Sequence, residues 1–522
     1  MLPKPKKNEQ EKKETHVFRT DVMLGENLKS YVQTVANYKK RSLYKNICDY
    51  VYGDVRDRVF ILYGLRRTGK TTLIRQVIAE MNDEDFLKTA FIQVGAGIGL
   101  SDINQDLKYL MNSGYKYVFI DEVTLIEDFI EGAALFSDIF AACGMKIVLS
   151  GTDSLGFFFS EDEQLYYRCI FLHTTFIPYR EFEEVLGIKG IDEYICYGGT
   201  MSLGGVHYNE KSTSANKKSV DEYVDSAIAK NIQHSLKCYQ YGGHFRALYD
   251  LYEKNELTSA INRVVEDVNH RFTLEVLTKD FMSHDLGVSA RNLRNDRQNS
   301  NDILDRIDKE EFTKRLKNLL EIRNKEEQIV TISEDHRREI KEYLDALDLT
   351  VDIDIQTLPV GREKSYKTVF TQPGMRYSQA KELVQSLLED GEFQELSIDE
   401  RNAVIERILS DIKGRMMEDI VLLETKIANP KKQVFQLQFV VGEFDMVVAD
   451  NANATCEIYE VKHSKEQAKE QFRHLIDEEK LKNTEFRYGK ITKRAVIYRG
   501  ENTTLENGIE YRNVEDYLKS LL

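Results

Sequence analysis

The sequence predicts an α/β protein of several domains: a phosphate-binding α/β core first, a helical middle, and a smaller α/β unit at the C-terminus. Three observations predict it. A β-prone apolar run at residues 58–63 ends in Gly64 and leads directly into Gly69-Lys70-Thr71 and an amphipathic stripe. A second apolar run at 117–120 ends in the acidic pair Asp121-Glu122. Near the C-terminus, a helical pattern is followed by three short strands, and together they carry Glu418, Asp445, Glu460 and Lys462.

Length and composition set the outer bounds. At 522 residues the chain exceeds one ordinary core and should divide into about three domains. Its 42% hydrophobic content supports globular folding. A net charge of −15 argues against coating nucleic acid by bulk charge, while leaving room for a local basic groove or a protein partner. The six cysteines are widely spaced with no C-x-x-C, which fits reduced thiols in the cytoplasm and neither a zinc site nor a disulfide framework. No apolar run approaches the ~20 residues that span a bilayer, so no membrane role is expected. Residues 1–15 are Lys/Glu-rich without an apolar core, unlike a signal peptide; residues 1–20 read as a solvated tail.

The core follows. Residues 21–57 read as helical, with Leu28, Tyr31, Val32 and Val35 on one face. Gly64, Leu65, Arg66, Arg67, Thr68, Gly69, Lys70 and Thr71, with Thr72 after them, satisfy the P-loop pattern G-x-x-x-x-G-K-[ST]. Its glycines let successive backbone N–H groups turn onto phosphate oxygens, and the following helix aims its N-terminus at the same anion. Lys70 can reach the β- and γ-phosphates of ATP, and Thr71 can offer its hydroxyl to Mg²⁺. Strands are expected at 89–94, 117–122 and 146–152. Asp121 would hold Mg²⁺, and Glu122 would orient and polarise the attacking water. An acidic pair after a strand can also be a helix N-cap.

The C-terminal unit has its own chemistry. The order is helix (415–424), strand (434–441), strand (442–448), turn (451–454), strand (456–462), helix (465–480), strand (493–499). Alternation puts Glu460 and Lys462 on one face of their strand. If the preceding strand pairs with it as a hairpin, Asp445 shares that face. Carboxylates so placed hold Mg²⁺ while the lysine orients or deprotonates a water that attacks a phosphodiester. Gln467 or Gln471 could add a contact. The same groups could equally form a buried structural ion network.

Residues 64–72, 119–122 and 149–152, with Phe176-Ile177-Pro178-Tyr179-Arg180-Glu181-Phe182 and Tyr197-Gly198-Gly199, resemble a large bacterial and archaeal family. Its members are AAA-type P-loop ATPases with a winged-helix segment and a C-terminal PD-(D/E)XK restriction-endonuclease-like domain. The resemblance implies a γ-phosphate sensor at Ser150 or Thr152, although two hydroxyls in a turn are the plain alternative. It raises Arg168 as an arginine finger for a neighbouring subunit; Tyr167 stands where the family shows glycine, and a surface arginine fits as well. In the C-terminal domain it sets Asp445, Glu460 and Lys462 in the nuclease motif positions and Glu418 on the leading helix. Phe444 stands where a proline is common.

The implied layout is an ATPase core at 21–190, a helical lid and winged-helix-like region at 191–362, a connecting segment at 363–410 and the nuclease-like domain at 411–522. Two helix-turn-helix candidates fall in the middle. Residues 278–294 place Arg291 and Arg294 near Arg297 on one helix face, and residues 332–347 precede a strand at 350–355 that could be a wing. Both pieces could instead be packing helices. The expected ligands are ATP and Mg²⁺, with DNA, a second copy of the chain or another protein as partners left open.

Overall fold

The computed structural model describes residues 16–95, 97–126, 134–152, 167–200, 245–276, 331–359, 365–386 and 397–521, with isolated positions between them. The first sheet has six strands: β1 (Asp21–Met23), β2 (Val59–Gly64), β3 (Thr89–Gln93), β4 (Tyr117–Asp121), β5 (Lys146–Gly151) and β6 (Cys169–Thr174), in the order β1-β3-β4-β5-β2-β6. All neighbours are parallel except β1 and β3. A parallel sheet is covered on both faces, which is why Val59, Phe60, Ile61 and Leu62 read as an unbroken apolar run and are all buried. Helices Gly25–Gln33, Tyr44–Tyr52 and Lys70–Ala79 cover one face, packing Leu28, Ile47, Leu73 and Val77 on Phe60, Leu62 and Phe119. Helix Leu100–Asn112 covers the other, packing Ile103 and Leu107 on Val59, Ile61 and Ile120.

Two local expectations change. The segment read as helical from 21 begins with β1 and then breaks into two helices. The strand β6 was not foreseen, although it carries the short apolar run Cys169-Ile170-Phe171-Leu172; its residues up to His173 are only half-buried. From β2 the chain crosses past β4 and β5 to β3, whereas from β5 it passes to the other side of β2. The P-loop after β2, the acidic end of β4 and the end of β5 thus all lie at the carboxyl ends of neighbouring parallel strands, where ligands bind in open α/β sheets.

The middle region packs helices Arg246–Glu253, Leu257–Glu275 and Glu334–Ala346 around Leu248, Ile261, Val265 and Tyr343. Leu65 of the P-loop is buried in the same cluster. The candidate at 278–294, with Arg291, Arg294 and Arg297, lies outside the described residues. A short pair, β7 (Ser202–Leu203) and β8 (Val206–His207), precedes these helices. Helix Glu334–Ala346 starts at Ser333, whose Oγ accepts from the His336 N–H. The hairpin after it, β9 (Thr350–Leu358) and β10 (Ser365–Phe370), is not a free-standing wing. It joins the C-terminal sheet, with β9 parallel to β11 and Ile355 opposite Gln436.

That second sheet has eight strands in the order β10-β9-β11-β12-β13-β14-β16-β15. The later strands are β11 (Gln433–Phe439), β12 (Glu443–Asp450), β13 (Thr455–Lys462), β14 (Lys490–Tyr498), β15 (Thr503–Thr504) and β16 (Glu510–Asn513). Strands β11, β12 and β13 are successively antiparallel, and β14 runs parallel to β13. A 31-residue helix, Ile398–Ala428, opens with a Ser397/Glu400 capping box and packs Ile412, Met416, Ile420 and Val421 against Met446, Val448, Tyr459 and Val461.

The expected connecting segment is thus structural: it contains β10, helix Pro373–Gln385 and the start of the long helix. Phe176, Tyr179, Phe182 and Tyr194 sit in the same core as that helix, so this stretch packs with the C-terminal sheet although it lies within or just past the expected ATPase core. The helix expected at 465–480 is two short turns, Lys469–Phe472 and His474–Ile476, followed by helix Glu478–Tyr488. Among the described residues no helix is long and apolar enough to cross a membrane, and Cys48, Cys143, Cys169, Cys196 and Cys456 are free thiols.

Candidate functional site: a P-loop crevice and a second carboxylate cluster

The P-loop bridges β2 and helix Lys70–Ala79. Gly64 has φ +132°, and a Cβ there would fall 2.2 Å from the Thr174 carbonyl oxygen, so no other residue fits. Arg67 and Gly69 also have positive φ, as a loop that coils its N–H groups inward requires. Thr68 Oγ1 donates to Leu65 O at 2.8 Å and to Thr174 Oγ1 at 3.1 Å. Lys70 folds back along the loop, and its Nζ donates to Gly64 O and Leu65 O, each at 2.7 Å. Burial pushes this ammonium down to about 8, against the pull of Glu122 and Asp121.

The acids converge on the same place. Asp121 is 3% exposed and accepts from Thr71 Oγ1 at 2.8 Å and from Ser150 Oγ. Glu122 adopts φ 60°, an uncommon conformation for a residue other than glycine, in the first residue after β4. Burial, then the charge of Asp121, raises its carboxyl, while Lys70 opposes the shift; Thr152 Oγ1 donates to it at 3.3 Å.

A cavity of about 290 Å³ opens here, lined by Arg66, Arg67, Gly69, Lys70, Thr71, Thr72, Glu122 and Thr152. Of the two sensor candidates, Thr152 faces the cavity, whereas Ser150 is fully buried behind it on Asp121. Arg168 makes a salt bridge to Asp138 of its own chain at 2.8 Å.

The second cluster lies on β12 and β13. The antiparallel register, Met446 opposite Tyr459, carried one residue further sets Asp445 opposite Glu460. Lys462 Nζ stands between them, 2.9 Å from Asp445 Oδ2 and 2.8 Å from Glu460 Oε2. Asp445 Oδ2 also accepts from the Val461 N–H at 2.8 Å. Burial works against the Asp445 charge, but Lys462 and that N–H outweigh it and hold the carboxyl below its usual range. Glu460 goes the other way: burial and the Asp445 charge raise it well above the usual range.

Glu418 pairs with Arg415 on the long helix, which packs on the Tyr459 and Val461 face of the sheet. Burial raises its carboxyl to about 7 against Arg415, and the charges of Asp445 and Lys462 both act on it, so it stands within electrostatic reach of the pair. Gln467 and Gln471 are committed elsewhere: Gln467 donates to Tyr498 Oη and Thr503 Oγ1, and Gln471 accepts from the Ala468 N–H.

The residues present fit a metal ion at this second cluster only in part. Glu460 Oε1 is buried without a hydrogen-bond partner, as a ligand oxygen could be. Yet Lys462 is already ion-paired with both carboxylates, and among the described residues no group of three His, Cys, Asp or Glu side chains is placed to hold a metal ion.

Sequence reasoning missed several residues around both sites. Arg41, Thr174 and Glu424 join no motif and lie far in sequence from what they touch. His474, pushed down to about 4 by burial, Lys480 and Arg473, also feels the charges of Lys462 and Asp445.

Residues 56–183 match the family model described as an AAA domain. No curated protein matches the chain. Similar solved structures include Hsp104 of S. cerevisiae in complex with casein, 14% identical over 31% of this chain and 31% of that chain, with a TM-score of 0.23. The ORC1 protein of Aeropyrum pernix in complex with DNA is 12% identical over 66% of this chain and 92% of that one, with a TM-score of 0.22. PCH-2 of C. elegans is 17% identical over 31% and 46%, with a TM-score of 0.20. The chain thus spans about a third of the Hsp104 chain. The segment that holds the P-loop, Asp121 and Glu122 is accordingly similar to an AAA domain, and it is set in a mixed α/β protein.

Proposed function

We propose that the protein binds and hydrolyses ATP and uses it to act on nucleic acid through its C-terminal, nuclease-like domain. The observation that carries the ATPase reading is the convergence of Lys70, Thr71, Asp121 and Glu122 on one crevice. Backbone N–H groups at the start of helix Lys70–Ala79 take phosphate oxygens, and Lys70 exchanges two loop carbonyls for the β- and γ-phosphates. Glu122, raised by burial, orients the water and draws its proton toward Oε1 or Oε2. The hydroxyl and carboxylate oxygens of Thr71 and Asp121, 2.8 Å apart, fit Mg²⁺, which when bound supplies positive charge to the phosphates.

Support for the C-terminal part comes from element order and from the pairing of Asp445 with Glu460-x-Lys462 across an antiparallel hairpin. A second reading keeps the ATPase but makes the last domain a binding module, with the whole chain a nucleotide-controlled switch. The favouring observation is that Lys462 is ion-paired to both carboxylates and Glu418 is turned to Arg415.

Two assays separate these. ATP turnover is measured for wild type and Lys70→Ala; equal rates would remove the P-loop assignment. Nucleic-acid cleavage is then measured with Mg²⁺ or Mn²⁺, with and without ATP, beside Glu460→Ala. Cleavage lost in Glu460→Ala supports the nuclease; no cleavage by wild type beside intact ATP turnover supports the switch.

A further inference from the structure

Arg41 lies before the AAA match and is 4% exposed, yet its side chain reaches into the P-loop. Nη1 donates to Thr68 O at 2.6 Å, Nη2 donates to Phe176 O at 3.3 Å, and Nε donates to Glu181 Oε2. Ser42 Oγ donates to the other Glu181 oxygen, so both partners of the ion pair are fixed. The two side chains are 3% and 6% exposed, where a charge-assisted fork is strongest and least screened.

The consequence follows from the planarity of the peptide bond. In a trans peptide the C=O and the next N–H point in opposite directions. Holding Thr68 O outward on Arg41 therefore aims the Gly69 N–H back into the loop, toward the anion. Gly69 has φ 90°, so the following peptide is free to continue the curl into helix Lys70–Ala79. Thr68 Oγ1 is bonded to Leu65 O and Thr174 Oγ1, and Lys70 Nζ to Gly64 O and Leu65 O, so neither of these side chains takes up this hold.

We propose that Arg41 is a positioning residue for nucleotide binding: tethered by Glu181, it fixes the Thr68–Gly69 peptide so that its N–H meets the phosphates. The proposal rests on the ATPase reading of the P-loop. It also gives the crevice a link to the rest of the chain. Glu181 lies on helix Tyr179–Leu186, whose first N–H, that of Tyr179, donates to Glu424 of the long C-terminal helix at 2.7 Å.

The test measures ATP affinity with Mg²⁺, KM and kcat, and thermal melting for wild type, Arg41→Gln, Arg41→Lys and Glu181→Gln. Arg41→Gln should raise Kd and KM about 10-fold with kcat within about 3-fold of wild type. Arg41→Lys keeps the charge but not the fork, and should show most of the same loss. Glu181→Gln should raise Kd about 3-fold. Unchanged affinity in Arg41→Gln, with only the melting temperature lowered, overturns the proposal; if that variant does not fold, unchanged affinity in Arg41→Lys does so. A wild-type protein that binds no ATP overturns the ATPase reading, whereas wild-type binding with indifferent Arg41 variants overturns this proposal alone.

Discussion

Thr71 Oγ1 donates to Asp121 Oδ2 at 2.8 Å, joining the first turn of a helix to the end of a strand 50 residues away. These are the two oxygens that would flank a nucleotide's cation, and Ser150 holds the second Asp121 oxygen from behind. Such preorganisation reduces what must move when nucleotide arrives.

Lys70 makes that arrival pH-dependent. Burial lowers its ammonium to about 8, so the empty site is charged below that pH and increasingly neutral above it. Phosphates restore the charge, and binding above pH 8 must take up a proton. The Kd for ATP should rise between pH 7.5 and 9, approaching 10-fold per unit, roughly as linkage requires. Calorimetry at pH 8.5 in two buffers of different ionisation enthalpy should show net proton uptake that Lys70→Met lacks. A flat Kd across this range would refute it.

Gly64 should tolerate no side chain. An alanine there meets the Thr174 carbonyl oxygen at 2.2 Å while holding φ +132°. Gly64→Ala should cost about 3 kcal/mol or more and lower nucleotide affinity. Gly95→Ala, where a Cβ meets nothing within 4 Å, is the matched control. Similar denaturation midpoints for the two variants would contradict the close approach.

Lys462 is the counter-ion of two carboxylates that are only 5% and 4% exposed. Lys462→Met should destabilise the protein by about 2 kcal/mol, less than for a wholly buried pair because the lysine side chain keeps 32% of its surface in solvent. Adding Asp445→Asn should recover part of the loss, since the remaining repulsion with Glu460 disappears. Additive losses in denaturant unfolding would argue against the shared pairing.

Glu424 should shape the pH profile of stability. Burial raises its carboxyl to about 7, so the folded protein favours the neutral form. That contribution is fully present below the ordinary value of 4.5 and is lost as pH rises through about 7. Wild type should therefore lose melting temperature between pH 5 and 8 more steeply than Glu424→Gln, whose amide oxygen can still accept from Tyr179 N–H. Parallel profiles would exclude the linkage.

What the sequence could reveal depended on how local each feature is. The P-loop, β4 with its acidic end and the Glu460-x-Lys462 face are written in contiguous residues or in a period of two, and all were legible. Asp445 was reachable because one hairpin brings it opposite Glu460. Arg41 was not: its partners Thr68 and Glu181 lie 27 and 140 residues away, and no periodicity encodes such a contact. The pairing of Glu418 with Arg415 was not announced either, because helical spacing alone does not say which neighbour on the helix a carboxylate will take. The wing expectation failed because a parallel partner is chosen by tertiary packing: Ile355 meets Gln436.

That last pairing has a practical consequence. A fragment starting at residue 411 would keep β11 but lose β9, and would bare the backbone donors and acceptors of Gln436, Leu437, Gln438 and Phe439 along one rim. Bare rims recruit other chains and seed aggregates. The strand before the long helix thus acts as a sealing strip, and cutting it away should yield insoluble material rather than a smaller working part.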